Sequence, residues 1–231
     1  MIFKELDGGL SVIDNLKVAG AKEGKYGVAV IVSENSDASA VFTSNKIVAA
    51  PVIYTKKVVE KGKVSAVFVN SGNANCFTGN QGIEDCESLV ELVSKELNIP
   101  KGEIAISSTG VIGRKMPLDV ITGVASKVFS SLGNKPEDSL AAANAIMTTD
   151  KIPKQCALEV TLTNGEKVKI AGITKGSGMI APNMGTMLSF ITSDAAIDQK
   201  LLQQFLSEIV EDTFNMISVD GDTSTNDTCL V

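Results

Sequence analysis

Short β-branched runs interleaved with helical stripes constrain the fold of this 231-residue chain more than any other feature. Gly27-Val-Ala-Val-Ile-Val-Ser33, Val64-Ser-Ala-Val-Phe-Val69 and Ile104-Ala-Ile-Ser107 are continuous apolar runs of strand length, as expected of strands buried in a core. Asn164-Gly165 separates two more strand-like runs, 156–163 and 166–170. That pair reads as a hairpin, because a type I′ turn needs two positive φ angles and Asn-Gly tolerates them.

Three helices are predicted. Ile83, Cys86, Leu89, Val90, Val93 and Leu97 share one face, and Pro100 stops that helix. Pro117 opens a second, running through Val120, Val124 and Val128 to a Gly133 cap. Asp198 caps a third with the stripe Leu201, Leu202, Phe205, Ile209 and Val210. All three stripes are expected in the core. Strands and helices alternate irregularly, so the expected fold class is α/β of the α+β type, a mixed sheet covered by helices.

Composition removes several functional classes. Net charge is −6, which argues against a nucleic-acid surface, since phosphate binding needs clustered Lys and Arg. Cys76, Cys86, Cys156 and Cys229 are scattered and the chain has no histidine, so no zinc set forms and reduced core thiols are expected. No metal or cofactor is expected. The N-terminus lacks the basic and apolar regions of a signal peptide, and no apolar run approaches the ~18 residues of a membrane span, so a soluble cytoplasmic protein is expected. The chain stops at Val231 within what reads as a new apolar strand, Asn226-Asp-Thr-Cys-Leu-Val, suggesting a truncated or split polypeptide.

The missing histidine also shapes the chemistry. Any acyl transfer here must use a base other than imidazole. In Lys175-Gly-Ser-Gly-Met-Ile-Ala-Pro-Asn-Met-Gly-Thr-Met-Leu188, cleavage of Gly185–Thr186 would create one. The freed α-amine lies on the same residue as the Thr186 hydroxyl and titrates near ~8. Ser107-Ser-Thr-Gly-Val-Ile-Gly113 can aim Thr109 or backbone N–H groups at an oxyanion, although alone it reads as a strand-to-helix loop. Asn70-Ser-Gly-Asn-Ala-Asn75 reads as an Asx-type turn. Asp220-Gly-Asp-Thr-Ser-Thr-Asn-Asp227 fails as an EF-hand, with Thr225 where Gly is needed and Val231 where Glu is needed. It resembles a phosphatase nucleophile motif without the long domain that must follow, and reads as a polar turn bonding its own backbone. Lys175 could hold a carboxylate.

Taken together, these segments resemble the ornithine acetyltransferases (glutamate N-acetyltransferases) of arginine biosynthesis. Ala40-Val-Phe-Thr-Ser-Asn, Ala49-Ala-Pro-Val, Val69-Asn-Ser-Gly-Asn-Ala-Asn, Ser108-Thr-Gly-Val-Ile-Gly, Ile146-Met-Thr-Thr-Asp, the Lys175–Leu188 run and Ser218-Val-Asp-Gly-Asp-Thr-Ser-Thr-Asn-Asp-Thr match in family order. The resemblance implies a layered helix–sheet sandwich and a precursor cut into an α-chain-like region, 1–185, and a β-chain-like region from 186. It assigns Thr186 as nucleophile, Thr109 and Gly110 as oxyanion hole, and Thr149 (or its neighbour Thr148), Lys175 and Thr186 as substrate contacts. The implied reaction is ping-pong transfer of acetyl from N-acetylornithine to glutamate, with acetyl-CoA as a donor in some members and the α and β chains paired. Two departures stand out: Gly185 replaces the usual alanine, and the family's β chain runs well beyond Val231. The alternatives are a self-processing amidohydrolase or aminopeptidase of related fold, and an uncleaved fragment with a structural role.

Overall fold

The computed structural model describes residues 2–181 and 187–231. Among these described residues, ten strands and five α-helices follow in chain order. The first half contains β1 (Ile2–Glu5), β2 (Lys17–Glu23), β3 (Tyr26–Asp37), β4 (Ala40–Phe42), α1 (Ala50–Val59), β5 (Lys63–Asn73), α2 (Asn80–Leu97) and β6 (Ile104–Val111). The second contains α3 (Leu118–Ser130), α4 (Pro136–Ala145), β7 (Lys154–Thr161), β8 (Lys167–Lys175), β9 (Leu188–Ser193), α5 (Gln199–Glu211) and β10 (Thr228–Leu230). They build a mixed α/β sandwich on two sheets, one of order β2-β3-β5-β6 and one of order β1-β7-β8-β9-β10-β4.

The apolar runs are continuous because the four-stranded sheet is covered on both faces. Val28, Val30, Val32, Ala66, Phe68, Ile104 and Ile106 pack against Cys86, Leu89, Val90 and Val93 of α2 and Ile121, Val124 and Val128 of α3. The alternate residues Ala29, Ile31, Val67, Val69 and Ala105 meet α4 and the inner face of the six-stranded sheet, including Ile173, Leu188 and Phe190. Side chains on both faces of Val28–Val32, Val64–Val69 and Ile104–Thr109 therefore leave water, which a period-two amphipathic strand would not allow. At the edge of the smaller sheet, Thr55 of α1 donates its hydroxyl to Ile106 O (2.6 Å) and accepts from Ile106 N (2.8 Å), pairing groups that β6 would otherwise expose.

Four expectations are corrected. The Asn164–Gly165 hairpin forms, but not as type I′. Gly165 has φ 88° whereas Asn164 is not left-handed, and Gly165 N–H donates to Leu162 O (3.0 Å). This is a three-residue loop closed by a glycine bulge, and the Asn164 side chain accepts from Glu166 N–H (3.0 Å). Helix α3 ends at Ser130, and Gly133 bridges Val18 of β2 instead of capping it; Val120 is exposed while Ile121 and Ala125 take its place in the core.

Helix α5 is turned away from its apolar stripe. Leu201, Phe205 (44% exposed) and Ile209 (57% exposed) face outward, while Leu206 and Val210 are buried. Gln203 explains the rotation. Its amide bonds both N–H and C=O of Ala40 (3.2 Å each), docking the helix on edge strand β4 through a polar side chain. Finally, all four cysteines are free, but Cys156 is exposed on the outer face of β7 and is not a core thiol. Burial pushes the Cys86 and Cys229 thiols up to about 12.

The topology positions the site. Strands β5 and β6 are parallel, with Ser71 opposite Thr109 and Gly72 opposite Gly110. The Asn70–Asn75 and Ser107–Gly110 segments thus emerge at the same end of the sheet. In the larger sheet β9 pairs with β8 and with β10, which pairs with β4. Strands on both sides of position 186 therefore share one hydrogen-bonded sheet.

Candidate active site

At the carboxyl ends of β5, β6 and β8 lies a cleft of about 690 Å³. Its lining includes Lys22, Thr109, Gly110, Thr148, Thr149 and Lys175. Five of the residues singled out from sequence are thus brought together from three separate stretches of chain. Gly185 and Thr186 lie outside the described residues. Their neighbour Met187 is described, and it anchors on the loop that closes the cleft from behind.

Gly110 occupies a position only glycine fits. Its φ is 137°, and an added Cβ would lie 2.4 Å from Gly72 C and 2.5 Å from Asn73 N. Close approach of the two backbones sets Thr109 at the cleft. Lys175, 2% exposed, donates from Nζ to Thr109 Oγ1 at 3.2 Å. Burial lowers its affinity for a proton, partly offset by the carboxylates of Asp150 and Asp227. An ammonium has no lone pair, so Thr109 Oγ1 accepts this bond and keeps its own hydrogen for another acceptor.

Asp150 ties the segment carrying Thr148 and Thr149 to the end of β8. Burial pushes its carboxyl up, but Lys154 Nζ and the Gly176 N–H (2.8 Å) on Oδ1 outweigh that and hold it below the ordinary value. Thr148 and Thr149 are both exposed in the cleft; the Thr149 hydroxyl lies 2.8 Å from that of Ser177. Asn70, Asn73 and Asn75 bond the surrounding backbone, with Asn70 Nδ2 on Asn73 O (2.9 Å) and Asn75 N–H on Asn73 Oδ1 (2.7 Å). They shape the turn, as the Asx reading expects.

The Asp220–Asp227 segment does more than bond itself, which corrects its reading as a self-contained polar turn. Asn226 Nδ2 donates to Ala74 O (2.7 Å) and Ser108 O (2.8 Å), tying together the ends of β5 and β6. Asp220 accepts from Met179 N–H (2.6 Å) and Ile180 N–H (2.8 Å), and these bonds hold its carboxyl below the usual range. Asp227 accepts from Met187 N–H (2.8 Å) through Oδ1. Residues 182–186 are therefore bracketed in sequence by two backbone anchors that both come from one acidic loop.

Asp227 is 1% exposed and its Oδ2 has no hydrogen-bond partner among the described residues. Burial raises its carboxyl to about 7, against the opposing pull of the Met187 N–H, the Ser224 hydroxyl and the Lys175 charge. Sequence reasoning missed Asp150, Asn226 and Asp227. Each lies inside a segment already quoted, but burial and partners are what separate them from solvated neighbours such as Asp222.

Comparison with known proteins follows the same segments. The ArgJ family model matches residues 15–231. The glutamate N-acetyltransferase of Methanothermobacter thermautotrophicus is 47% identical over 231 residues, covering 100% of this chain and 58% of the relative. That of Methanocaldococcus jannaschii is 48% identical over 230 residues, covering 98% and 56%. The chain thus spans just over half the length of these curated relatives. Among solved structures, the arginine biosynthesis bifunctional protein argJ of Bacillus halodurans superposes with TM-score 0.72 at 31% identity, over 81% of this chain and 98% of that one. The ornithine acetyltransferase of Mycobacterium tuberculosis, solved in complex with ornithine, gives TM-score 0.70 at 32% identity, over 81% of this chain and 100% of that one.

Proposed function

From the membership of this chain in the ArgJ family, we propose that it transfers an acetyl group from N-acetylornithine to glutamate through Thr186, freed as an N-terminal residue by cleavage of Gly185–Thr186. The observation that carries this reading is the convergence of Thr109, Gly110, Thr148, Thr149 and Lys175 on one cleft, backed by the loop that anchors Met187.

The chemistry runs without histidine. The α-amine of Thr186 takes the hydroxyl proton as Oγ attacks the acetyl carbonyl. Negative charge on the carbonyl oxygen is met by the Thr109 hydroxyl, whose hydrogen the Lys175 bond leaves free, and by Gly110 N–H. The intermediate collapses, the proton passes to the leaving amine, and ornithine departs from an acetyl-threonine ester. Glutamate then attacks that ester, so the kinetics are ping-pong. Thr149 or Thr148 and Lys175 contact the substrate, and acetyl-CoA could load the same ester.

Chain lengths favour a cut. All of the Mycobacterium chain is matched by 81% of this one, about 187 residues, nearly the length of segment 1–185. The curated relatives, in contrast, extend far beyond the match. After a cut the two pieces would stay paired as α and β chains, because β8–β9 and β10–β4 hold them in one sheet. Among the described residues no helix is long and apolar enough to cross a membrane, and a biosynthetic role supports a cytoplasmic location for the proposed enzyme.

The test is consumption of N-acetylornithine with and without glutamate. Transfer predicts sustained turnover and N-acetylglutamate only when glutamate is present. Equal turnover in both arms, with free acetate formed, would instead establish an amidohydrolase.

A further inference from the structure

Charge is distributed unevenly around the cleft. Among the described residues that line it, Lys22, Lys25 and Lys175 are basic and none is an aspartate or glutamate, although the chain carries a net charge of −6. Lys175 is buried and faces the carboxylates of Asp150 and Asp227, which offset its charge from behind. Lys22 and Lys25 are exposed, and neither forms a salt bridge among the described residues.

Local structure explains why these two stay unpaired. Glu23 is the acidic neighbour of Lys22, but successive side chains of β2 leave opposite faces, and Glu23 pairs with Lys127 of α3. Glu23 is also opposite Tyr26 in the ladder, so Gly24-Lys25 is a two-residue loop. Gly24 has φ 56° and Lys25 is not left-handed, the pattern of a type II′ turn.

That turn is wedged against the site. A Cβ on Gly72 would lie 2.6 Å from Lys25 O and 2.7 Å from Tyr26 Cδ1, and a Cβ on Gly110 would lie 2.8 Å from Gly72 Cα. Close backbone approach therefore runs from the turn, through the end of β5, to Gly110. Lys22 Nζ donates to Met147 O (2.8 Å), tying the turn to the segment that carries Thr148 and Thr149, and its other hydrogens stay available. Lys25 Nζ sits 5.1 Å from the Tyr26 ring centroid, a contact that steadies the ammonium without an acceptor oxygen.

The compounds of the proposed transfer differ in charge. N-acetylornithine balances its carboxylate with an ammonium, released ornithine is a net cation, and glutamate brings a second carboxylate and is a net anion. We propose that Lys25, flanked by Lys22, receives the side-chain carboxylate of glutamate and so selects the acceptor over the donor and the departing product. This rests on the reading of the chain as a transferase with glutamate as acceptor. The same charges disfavour the return of ornithine, so the amine that has just left competes poorly for the acetyl ester.

In a ping-pong reaction kcat/KM for each substrate reports its own half-reaction, which separates the two effects. Lys25→Met is expected to lower kcat/KM for glutamate about 5-fold, the size of an exposed ion pair, and to change that for N-acetylornithine less than ~2-fold. Lys25→Glu should lower the glutamate value by about 20-fold, Lys25→Arg should keep most of it, and the wild-type value should fall as salt rises. Glutamine has the length of glutamate with an amide in place of the carboxylate. Wild type is expected to prefer glutamate to it, and Lys25→Met to lose about 5-fold of that preference. Lys57→Met makes the same charge change on α1, outside the cleft lining, and should leave both constants as in wild type. If it matches Lys25→Met, the effect belongs to net charge and the proposal falls. If Lys25→Met lowers both constants equally, it reads the carboxylate that both substrates share, and the proposal falls while transfer stands. An unchanged glutamate value overturns it likewise. If wild type forms no N-acetylglutamate, the transfer reading fails first and takes the proposal with it.

Discussion

Replacing Gly110 by alanine is expected to lower the melting temperature by roughly 6–12 °C and to remove acyl transfer. The new Cβ would sit 2.4 Å from Gly72 C and 2.5 Å from Asn73 N, and both are backbone atoms of the paired strand, not a side chain that can swing away. At φ 137° the substitution also forces an L-residue into a region it rarely adopts. Backbone strain costs about 1–3 kcal/mol and overpacking a similar amount, so about 3 kcal/mol in total is a reasonable expectation. For a chain of this size each kcal/mol moves the midpoint by roughly 2–4 °C. Gly123→Ala makes the contrast. Gly123 is exposed within α3, has nothing within 4 Å of an added Cβ, and its replacement should stabilise by up to ~1 kcal/mol with activity intact. Differential scanning calorimetry on the pair checks both, and equal melting temperatures would refute the close-approach argument.

Lys175→Met is expected to separate activity from stability in the other direction. Transfer should fall by about 100-fold or more in kcat, because Thr109 loses the donor that orients its hydroxyl. The fold should lose no more than about 1.5 kcal/mol. Removing one partner of a buried ion pair can cost 3–5 kcal/mol, but here both carboxylates have an escape. Asp150 keeps Lys154 and the Gly176 N–H. Asp227, already raised to about 7, neutralises itself by taking a proton. The lysine also carries a burial penalty of its own, since its charged form is disfavoured in the folded state. Methionine fills the same channel at similar volume. A melting temperature that fell along with kcat would show a structural role, and an unchanged kcat would remove Lys175 from the site.

The strands of the smaller sheet were legible because Val28–Val32 and Val64–Val69 bury both faces, so apolar character alone marked them. Periodicity also located α5, but it reports which face is apolar and not which face is covered. Polar Gln203 docked the helix and left Phe205 and Ile209 outside. Asn164-Gly165 announced a hairpin, while the choice between a two-residue turn and a three-residue loop with one left-handed residue depended on strand register. At the site, Thr109, Gly110, Thr149 and Lys175 were named from their segments, yet nothing in the sequence required β5 and β6 to be parallel and deliver them to one end. Asp227 was hidden for a different reason. An aspartate in Asp-Gly-Asp-Thr-Ser-Thr-Asn-Asp looks solvated, and only tertiary burial makes it a neutral-range acid.

The most direct test of the central claim is the mass of the fragment that begins at Thr186 after incubation with N-acetylornithine alone. A self-processed threonine nucleophile predicts that this fragment is present and carries one acetyl group, sequenced to Thr186 and lost when glutamate is added. An unmodified fragment in the presence of active turnover, or acetyl transfer by a chain that remains intact across Gly185–Thr186, would contradict it.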